Sequence, residues 1–240
     1  MDLQHVAIVP DGNRRWSKLR GAPVLEGHRR GAKVMHTVVD YLIDHQVRYL
    51  TVWGFSTDNW KRSDDEIKDL LHVLAFWIDK DAPWLHERGV RLYHIGRLDQ
   101  LPDFLQLAIN QAVELTKNNE GMTLNLAFNY TGRGEILDAV RQLVNEVTLS
   151  EAMRLIVDDE VTLREIDETS FSRHLYTDGM PDVDLVIRTA GEFRLSNFML
   201  WQTAYSEYYF TELLWPDFDI KELEKALQAY SQRKRRFGGD

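Results

Sequence analysis

No cysteine occurs in the 240 residues. That excludes disulfides, thiolate metal sites and cysteine nucleophiles. No run approaches the ~18 uninterrupted apolar residues that a membrane span requires. The first residues, Met1-Asp2-Leu3-Gln4-His5, have neither the basic nor the apolar region of a signal peptide. A cytoplasmic location is therefore expected, with at most peripheral contact with membranes. Basic residues are in deficit: 29 Lys and Arg against 38 Asp and Glu leave a net charge of −9, a poor match for nucleic acid. Neither a Gly-x-Gly-x-x-Gly loop nor a Walker-type loop is present, which argues against an ordinary nucleotide-binding α/β protein.

The positive charge that is present is clustered. Arg14, Arg15, Lys18, Arg20, Arg29 and Arg30 crowd the first thirty residues, and Arg233, Lys234, Arg235 and Arg236 lie near the end. Local basic groups on an acidic body suit a small anionic ligand better than a long polyanion. Hydrophobic residues make up 44%, enough for one large domain, and no repeat or long linker interrupts residues 1–240.

Apolar, β-branched runs at Val6–Val9, Tyr49–Phe55, Val90–Ile95, Leu124–Phe128 and Val183–Ile187 read as buried strands. Helical patterns lie between and after them, at His28–His45, Ser63–Glu87, Leu101–Lys117, Gly134–Val147 and Ile220–Gln232. The second strand-to-helix junction carries Ser63-Asp-Asp-Glu66, a capping-box pattern. Strands alternating with helices imply an α/β fold with a mainly parallel sheet, and the more polar 150–182 stretch is assigned to short peripheral helices.

Ligands of parallel sheets bind beyond the C-terminal strand ends. After the first run comes Asp11-Gly-Asn-Arg-Arg-Trp16, and after the second Ser56-Thr-Asp-Asn-Trp-Lys-Arg62. After the fourth comes Asn129-Tyr-Thr-Gly-Arg133, and after the fifth Arg188-Thr-Ala-Gly-Glu-Phe-Arg-Leu-Ser-Asn197. Each brings an arginine, and Gly96-Arg97 follows the third run. Arginine forks and glycine-exposed backbone N–H groups are what a diphosphate needs. Taken alone, Asp11-Gly12 is equally an Asx-stabilised turn, Arg188 a structural ion pair and Trp60 a core residue.

These stretches are similar to the cis-prenyltransferases, the undecaprenyl diphosphate synthase family, over nearly the whole chain from His5 to Gly239. The motifs are His-Val-Ala-Ile-x-x-Asp-Gly-Asn-x-Arg-Trp at 5–16, Gly27-His28, Phe-Ser-x-Asp-Asn-Trp-x-Arg at 55–62 and Asn129-Tyr-x-Gly-Arg133. They continue with Asp-Leu-x-Ile-Arg-Thr-x-Gly-Glu-x-Arg-x-Ser-Asn at 184–197 and Leu-Trp-Pro-Asp-Phe at 214–218. The resemblance implies a single domain, a central parallel sheet of about six strands flanked by helices, and a homodimer. It also implies repeated addition of isopentenyl diphosphate to an allylic diphosphate primer such as farnesyl diphosphate, with Mg²⁺. The cis-polyprenyl product, undecaprenyl diphosphate or a shorter one, grows into an apolar tunnel.

By the same resemblance, Asp11 is a catalytic carboxylate and Mg²⁺ ligand, with Glu207 a second residue tied to the metal. Gly12, Asn13, Arg14, Arg15, Trp16 and His28 serve the allylic diphosphate. Ser56, Asn59, Trp60 and Arg62 match a mobile loop that positions substrate and helps proton removal. Arg188, Arg194 and Ser196 match the isopentenyl diphosphate site, Glu192 an acid that orients an arginine, and Arg236 and Gly238 a tail element that completes the partner subunit's site. Gly54, Leu70, Leu74, Trp77, Ile78, Trp84 and Met122 are expected along the tunnel. Gly54 leaves room near its entrance, while Trp77 and Trp84 either shorten it or face outward.

Three positions depart from the family pattern: Pro10 before Asp11, Val24 where an arginine is common, and Asp58 in place of Glu. Arg20 is the residue placed to compensate for Val24. Asp64-Asp65-x-x-x-Asp69 looks like the metal motif of trans-prenyltransferases, but those are all-helical and carry a second copy, and acids in a first helical turn are explained by the helix dipole. A non-catalytic subunit of the same fold would be expected to lack the intact Asp11–Arg15 cradle and the Asn59-Trp-x-Arg62 loop, and both are present.

Overall fold

The computed structural model describes residues 2–157 and 166–233, the side chains of 147–157 excepted. Six parallel strands form one sheet in the order β3-β4-β2-β1-β5-β6. They are β1 (His5–Val9), β2 (Tyr49–Ser56), β3 (Arg91–Ile95), β4 (Thr123–Tyr130), β5 (Leu185–Arg188) and β6 (Glu207–Phe210). The β1 strand is buried at every residue, as a central parallel strand covered on both faces must be. Its register pairs Val6 with Leu50 on one side and with Leu185 on the other.

Seven helices connect and follow the strands: α1 (Asn13–Leu19), α2 (Val24–Asp44), α3 (Asp64–Glu87), α4 (Asp103–Thr116), α5 (Gly132–Val157), α6 (Glu168–Ser172) and α7 (Ile220–Gln232). Alternation along the strands sends side chains to opposite faces. Val6, Ile8, Leu50, Val52, Leu124 and Ile187 face a large core built with α2, α3, α4 and α7. Ala7, Val9, Ala127, Tyr130 and Val186 face a smaller one closed by Phe198 and Met199. On that second side Glu135 of α5 is buried among Tyr130, Gln202 and the Tyr176 backbone N–H. Burial raises its carboxyl above the usual range, against the hydrogen bonds that favour the charged form.

Three expectations differ from the structure. The sixth strand, β6, was not legible as an apolar run, because Glu-Tyr-Tyr-Phe is only half-buried at the sheet edge. Helix α5 extends beyond Val147 to Val157. Ser63 does precede α3, but its side chain makes no cap hydrogen bond. Glu66, the expected reciprocal cap, instead accepts from two arginines.

Candidate active site

The order of strands reverses direction about β1, and the residues after β1, β2 and β5 meet at one rim. The rim is the polar mouth of a cavity of about 630 Å³. Asp11, Gly12, Asn13, Arg14, Arg15, His28, Ser56, Asn59, Arg62, Arg188 and Ser196 all line it. Its walls descend between the sheet and α2 and α3 through Met35, Val39, Val52, Leu74, Ile78, Leu92 and Leu126. One end is therefore cationic and the rest apolar.

The loop after β1 is held in an uncommon shape. Gly12 has φ +104, and a Cβ there would lie 2.9 Å from Leu214 Cδ2, so glycine is required by both conformation and space. Its N–H donates to Asp11 Oδ1 at 2.7 Å. Helix α1, which follows, is only seven residues long. Its dipole is short, so the arginines supply most of the positive field.

Each arginine is held by an acid. Arg188, buried at the end of β5, donates from Nη2 to Asp11 Oδ2 at 3.1 Å and from Nη1 to Ser196 Oγ at 2.8 Å. Arg15 donates to Ala190 O at 2.9 Å and to Glu192 Oε1 at 3.2 Å, and Arg194 contacts the other Glu192 oxygen at 2.5 Å. Glu192 thus holds two arginines. Arg14 and Arg62 share Glu66 at 2.8 and 3.0 Å. Five arginines against Asp11, Glu66 and Glu192 leave two positive charges in excess (5 − 3). One buried donor without a partner, Arg188 Nε, adds capacity for an anion. His28 lies among these groups. Burial first, then the Arg62 and Arg14 charges, lower its pKa against the pull of Glu66, so the neutral ring is favoured.

Several expected residues sit elsewhere. Trp16 is buried away from the cavity; its Nε1 donates to Asp217 Oδ1 at 2.8 Å and Arg20 stacks 4.4 Å from its ring. Arg20 is thereby spent on Trp16 and Asp217 and does not take the place of the arginine that Val24 lacks. Trp60 donates to Asn129 Oδ1 at 2.8 Å and packs on Phe55 rather than lining the cavity. Met122 is core, not wall. Arg194 is mostly exposed and reaches the site through Glu192. Arg97 pairs with Asp138, and Arg133 is exposed, its backbone N–H bonded to Asn197 Oδ1, so the rim is built from three strand ends rather than four.

Gly54, Leu70, Leu74, Trp77, Ile78 and Trp84 do line the cavity. Gly54 does not leave open room, however: a Cβ there would lie 1.8 Å from Phe128 Cε1, so the space belongs to that ring. Arg236 and Gly238 lie outside the described residues.

The metal set also differs from expectation. All strands are parallel, and Glu207 opens β6 at the opposite end of the strands from Asp11, in register with Leu185 and Val6. Five residues of strand rise separate Val6 from Asp11, about 16 Å. Glu207 is paired with Arg233. Asp11 and Glu207 of one chain therefore do not share an ion, and no group of three or more metal-ligating side chains occurs among the described residues. A single half-exposed carboxylate at a cationic rim does fit Mg²⁺ held largely by substrate phosphates and water.

Comparison with known proteins agrees with this geometry. Residues 9–238 match the family described as putative undecaprenyl diphosphate synthase. The isoprenyl transferase of Fusobacterium nucleatum is 46% identical over 236 residues, covering 98% of this chain and 96% of its own. A ditrans,polycis-undecaprenyl-diphosphate synthase, farnesyl-diphosphate specific, from Photorhabdus laumondii is 40% identical, covering 98% of this chain and 89% of its own. Among solved structures, lavandulyl diphosphate synthase from Lavandula x intermedia, in complex with dimethylallyl diphosphate, superposes with a TM-score of 0.90 at 37% identity, covering 98% of each chain. With its arginine-lined diphosphate-sized rim above an apolar cavity, the chain belongs to the undecaprenyl diphosphate synthase family of prenyltransferases.

Proposed function

We propose that the chain condenses isopentenyl diphosphate repeatedly onto an allylic diphosphate, farnesyl diphosphate in the first instance, to give undecaprenyl diphosphate. The observation that carries this is the one-ended polarity of the cavity: two excess positive charges at the mouth and hydrocarbon below. Relatives at 40% identity named for undecaprenyl diphosphate and farnesyl diphosphate support the choice of product and primer.

Each turn of the reaction joins C1 of the allylic chain to C4 of isopentenyl diphosphate, releases the allylic diphosphate and removes one proton from C2. Ionisation builds charge on the departing diphosphate. Donors fixed beforehand stabilise that charge without reorganising. Arg14, Arg15 and the neutral His28 provide them, with Gly12 and Asn13 shaping the loop. Arg188 and Ser196 hold the second diphosphate on the opposite side of Asp11, and Arg194 steadies Glu192 beside them. Ser56, Asn59 and Arg62 lie over the reacting carbons. Asp11 would hold Mg²⁺ against the allylic phosphates, and when bound that ion neutralises leaving-group charge. The walls exclude water from the allylic cation.

Two copies act together in this reading. Leu137 and Val140 of α5 and Phe193 beside the rim are exposed at 53%, 42% and 69%, apolar surface that a second chain would cover. Arg236 and Gly238, which lie outside the described residues, are assigned by the family resemblance to the partner's isopentenyl site.

Incubation with farnesyl diphosphate and isopentenyl diphosphate, with Mg²⁺ or with EDTA, tests the proposal. A ladder of products spaced by one five-carbon unit is expected in mass spectra with Mg²⁺ alone. The absence of any condensed product with Mg²⁺ would refute it.

A further inference from the structure

The cavity wall between α2 and α3 is apolar until one level, where two polar side chains face each other. His36 Nε2 lies 2.9 Å from Asp81 Oδ2, and both residues line the cavity. The oxygen is near enough for an ionic contact but off the line of the ring N–H, so no hydrogen bond forms. The His36 ring stacks on Trp84, centroids 4.3 Å apart at 22°. The Arg88 guanidinium lies 4.3 Å from the same Trp84 ring and bonds Asp40, one turn beyond His36 on α2. Asp81, His36, Trp84, Arg88 and Asp40 form a seam that ties α2 to α3. It lies away from the diphosphate rim, eight residues or about 12 Å of helix rise beyond His28.

The depth of the cavity gives this seam its meaning. Leu124, near its floor, is in register with Leu50 and so with Val6, five strand residues or about 16 Å below Asp11. A five-carbon prenyl unit has four carbons in line and spans roughly 5 Å at about 1.5 Å per C–C bond in a zigzag. The cavity therefore takes about three units end to end, the length of a farnesyl chain. An undecaprenyl chain is several times longer and cannot be held while the seam is shut. Sheet strands close one side of the cavity, and the large core closes the floor. The seam is held differently: His36 and Asp81, 33% and 19% exposed, meet in an ionic contact without a hydrogen bond where the rest of the wall between α2 and α3 is apolar packing.

We propose that the His36–Asp81 contact is a lateral gate that sets product length. A chain of more than three or four units leaves the closed cavity by parting α2 from α3 at this seam, and the strength of the contact sets how readily elongation continues past that point. This rests on the reading of the site as a chain-elongating prenyltransferase. His36 and Asp81 touch the hydrocarbon and not the reacting atoms, so they determine specificity without taking part in bond making.

The test is the product distribution from farnesyl diphosphate, isopentenyl diphosphate and Mg²⁺, resolved by mass spectrometry, for the wild type, His36→Ala, Asp81→Ala and Asp81→Glu. Both alanine variants should raise the ratio of products above four added units to shorter ones by tenfold or more. Asp81→Glu, which restores the charge, should return the ratio towards the wild type. The readout is the ratio of long to short products within each variant, so a change in primer binding that affects the first condensation of every chain alike cancels. If an alanine variant is not folded by circular dichroism, His36→Gln and Asp81→Asn make the same measurement. Wild-type ratios in folded, condensing variants would overturn the gate, as would equal losses in first condensation and elongation. A wild-type protein that condenses nothing would instead remove the reading on which the gate rests.

Discussion

Replacing Arg188 with methionine separates a substrate-binding arginine from a structural ion pair. The guanidinium is 6% exposed and touches Asp11 Oδ2 and Ser196 Oγ. Methionine keeps an unbranched apolar stem and deletes the charged guanidinium. The stability cost is small, because Asp11 is 40% exposed and remains solvated when left alone, so the ion pair counts for about 1 kcal/mol rather than a buried pair's several. In a chain of this size 1 kcal/mol corresponds to roughly 2–4 °C of Tm. The loss at the substrate is larger. Two charge-assisted hydrogen bonds to a phosphate, at about 1.5–3 kcal/mol each, amount to a ~10²–10⁴-fold rise in the KM for isopentenyl diphosphate. Thermal melting and steady-state kinetics with each substrate varied in turn measure both quantities. A Tm fall of more than about 8 °C with an unchanged KM would show that Arg188 only braces Asp11, and would refute its placement on the diphosphate.

Gly54→Ala should cost about 1–3 kcal/mol, because its Cβ collides with Phe128; it should also shorten the products by turning that ring into the cavity, and an unaltered Tm and product ladder would contradict this. Burial holds His5 and His94 at about 4, so between pH 6.5 and 4 the unfolded chain binds the extra protons and stability falls as pH falls, by about 2 kcal/mol for each at pH 5; Tm should drop by about 10 °C from pH 7 to pH 5, and a flat profile would contradict the assignment. Deleting residues 234–240 should leave Tm nearly unchanged and abolish activity; mixing that variant with Arg194→Ala should restore some, and no recovery in a verified heterodimer would exclude a shared site.

Strand ends were legible because β-branched runs stop abruptly at Asp, Gly and Arg, a change of pattern with a direct backbone cause. The glutamates behind the arginines were less so. Glu66 has the spacing of a capping residue, and what turns it to Arg14 is a partner 52 residues away in the chain. Trp16 and Trp60 share motifs with site residues yet bind the framework, which proximity in sequence does not distinguish from binding a ligand. Gly54 shows the limit of volume arguments, since a missing side chain means space only if no neighbour fills it. The His36–Asp81 seam joins two helices across 45 residues, and on α2 alone His36 is one more residue among an apolar stripe. Glu207 was named by resemblance alone, and its separation from Asp11 within one chain was not legible because the strand it opens was not, so the parallel register that puts it at the other end of the strands could not be read.

The most direct measurement of the whole account is turnover by Asp11→Ala, made alongside its circular dichroism and its affinity for isopentenyl diphosphate. Asp11 lines the cavity mouth, pairs with Arg188, and is the carboxylate assigned to Mg²⁺ and the allylic diphosphate. The variant should fold as the wild type does and bind isopentenyl diphosphate within about threefold, while kcat falls by ~10²–10⁴, the scale of a lost electrostatic or acid–base group. Near-normal kcat with Mg²⁺ in a folded Asp11→Ala protein would contradict the site as it is assigned.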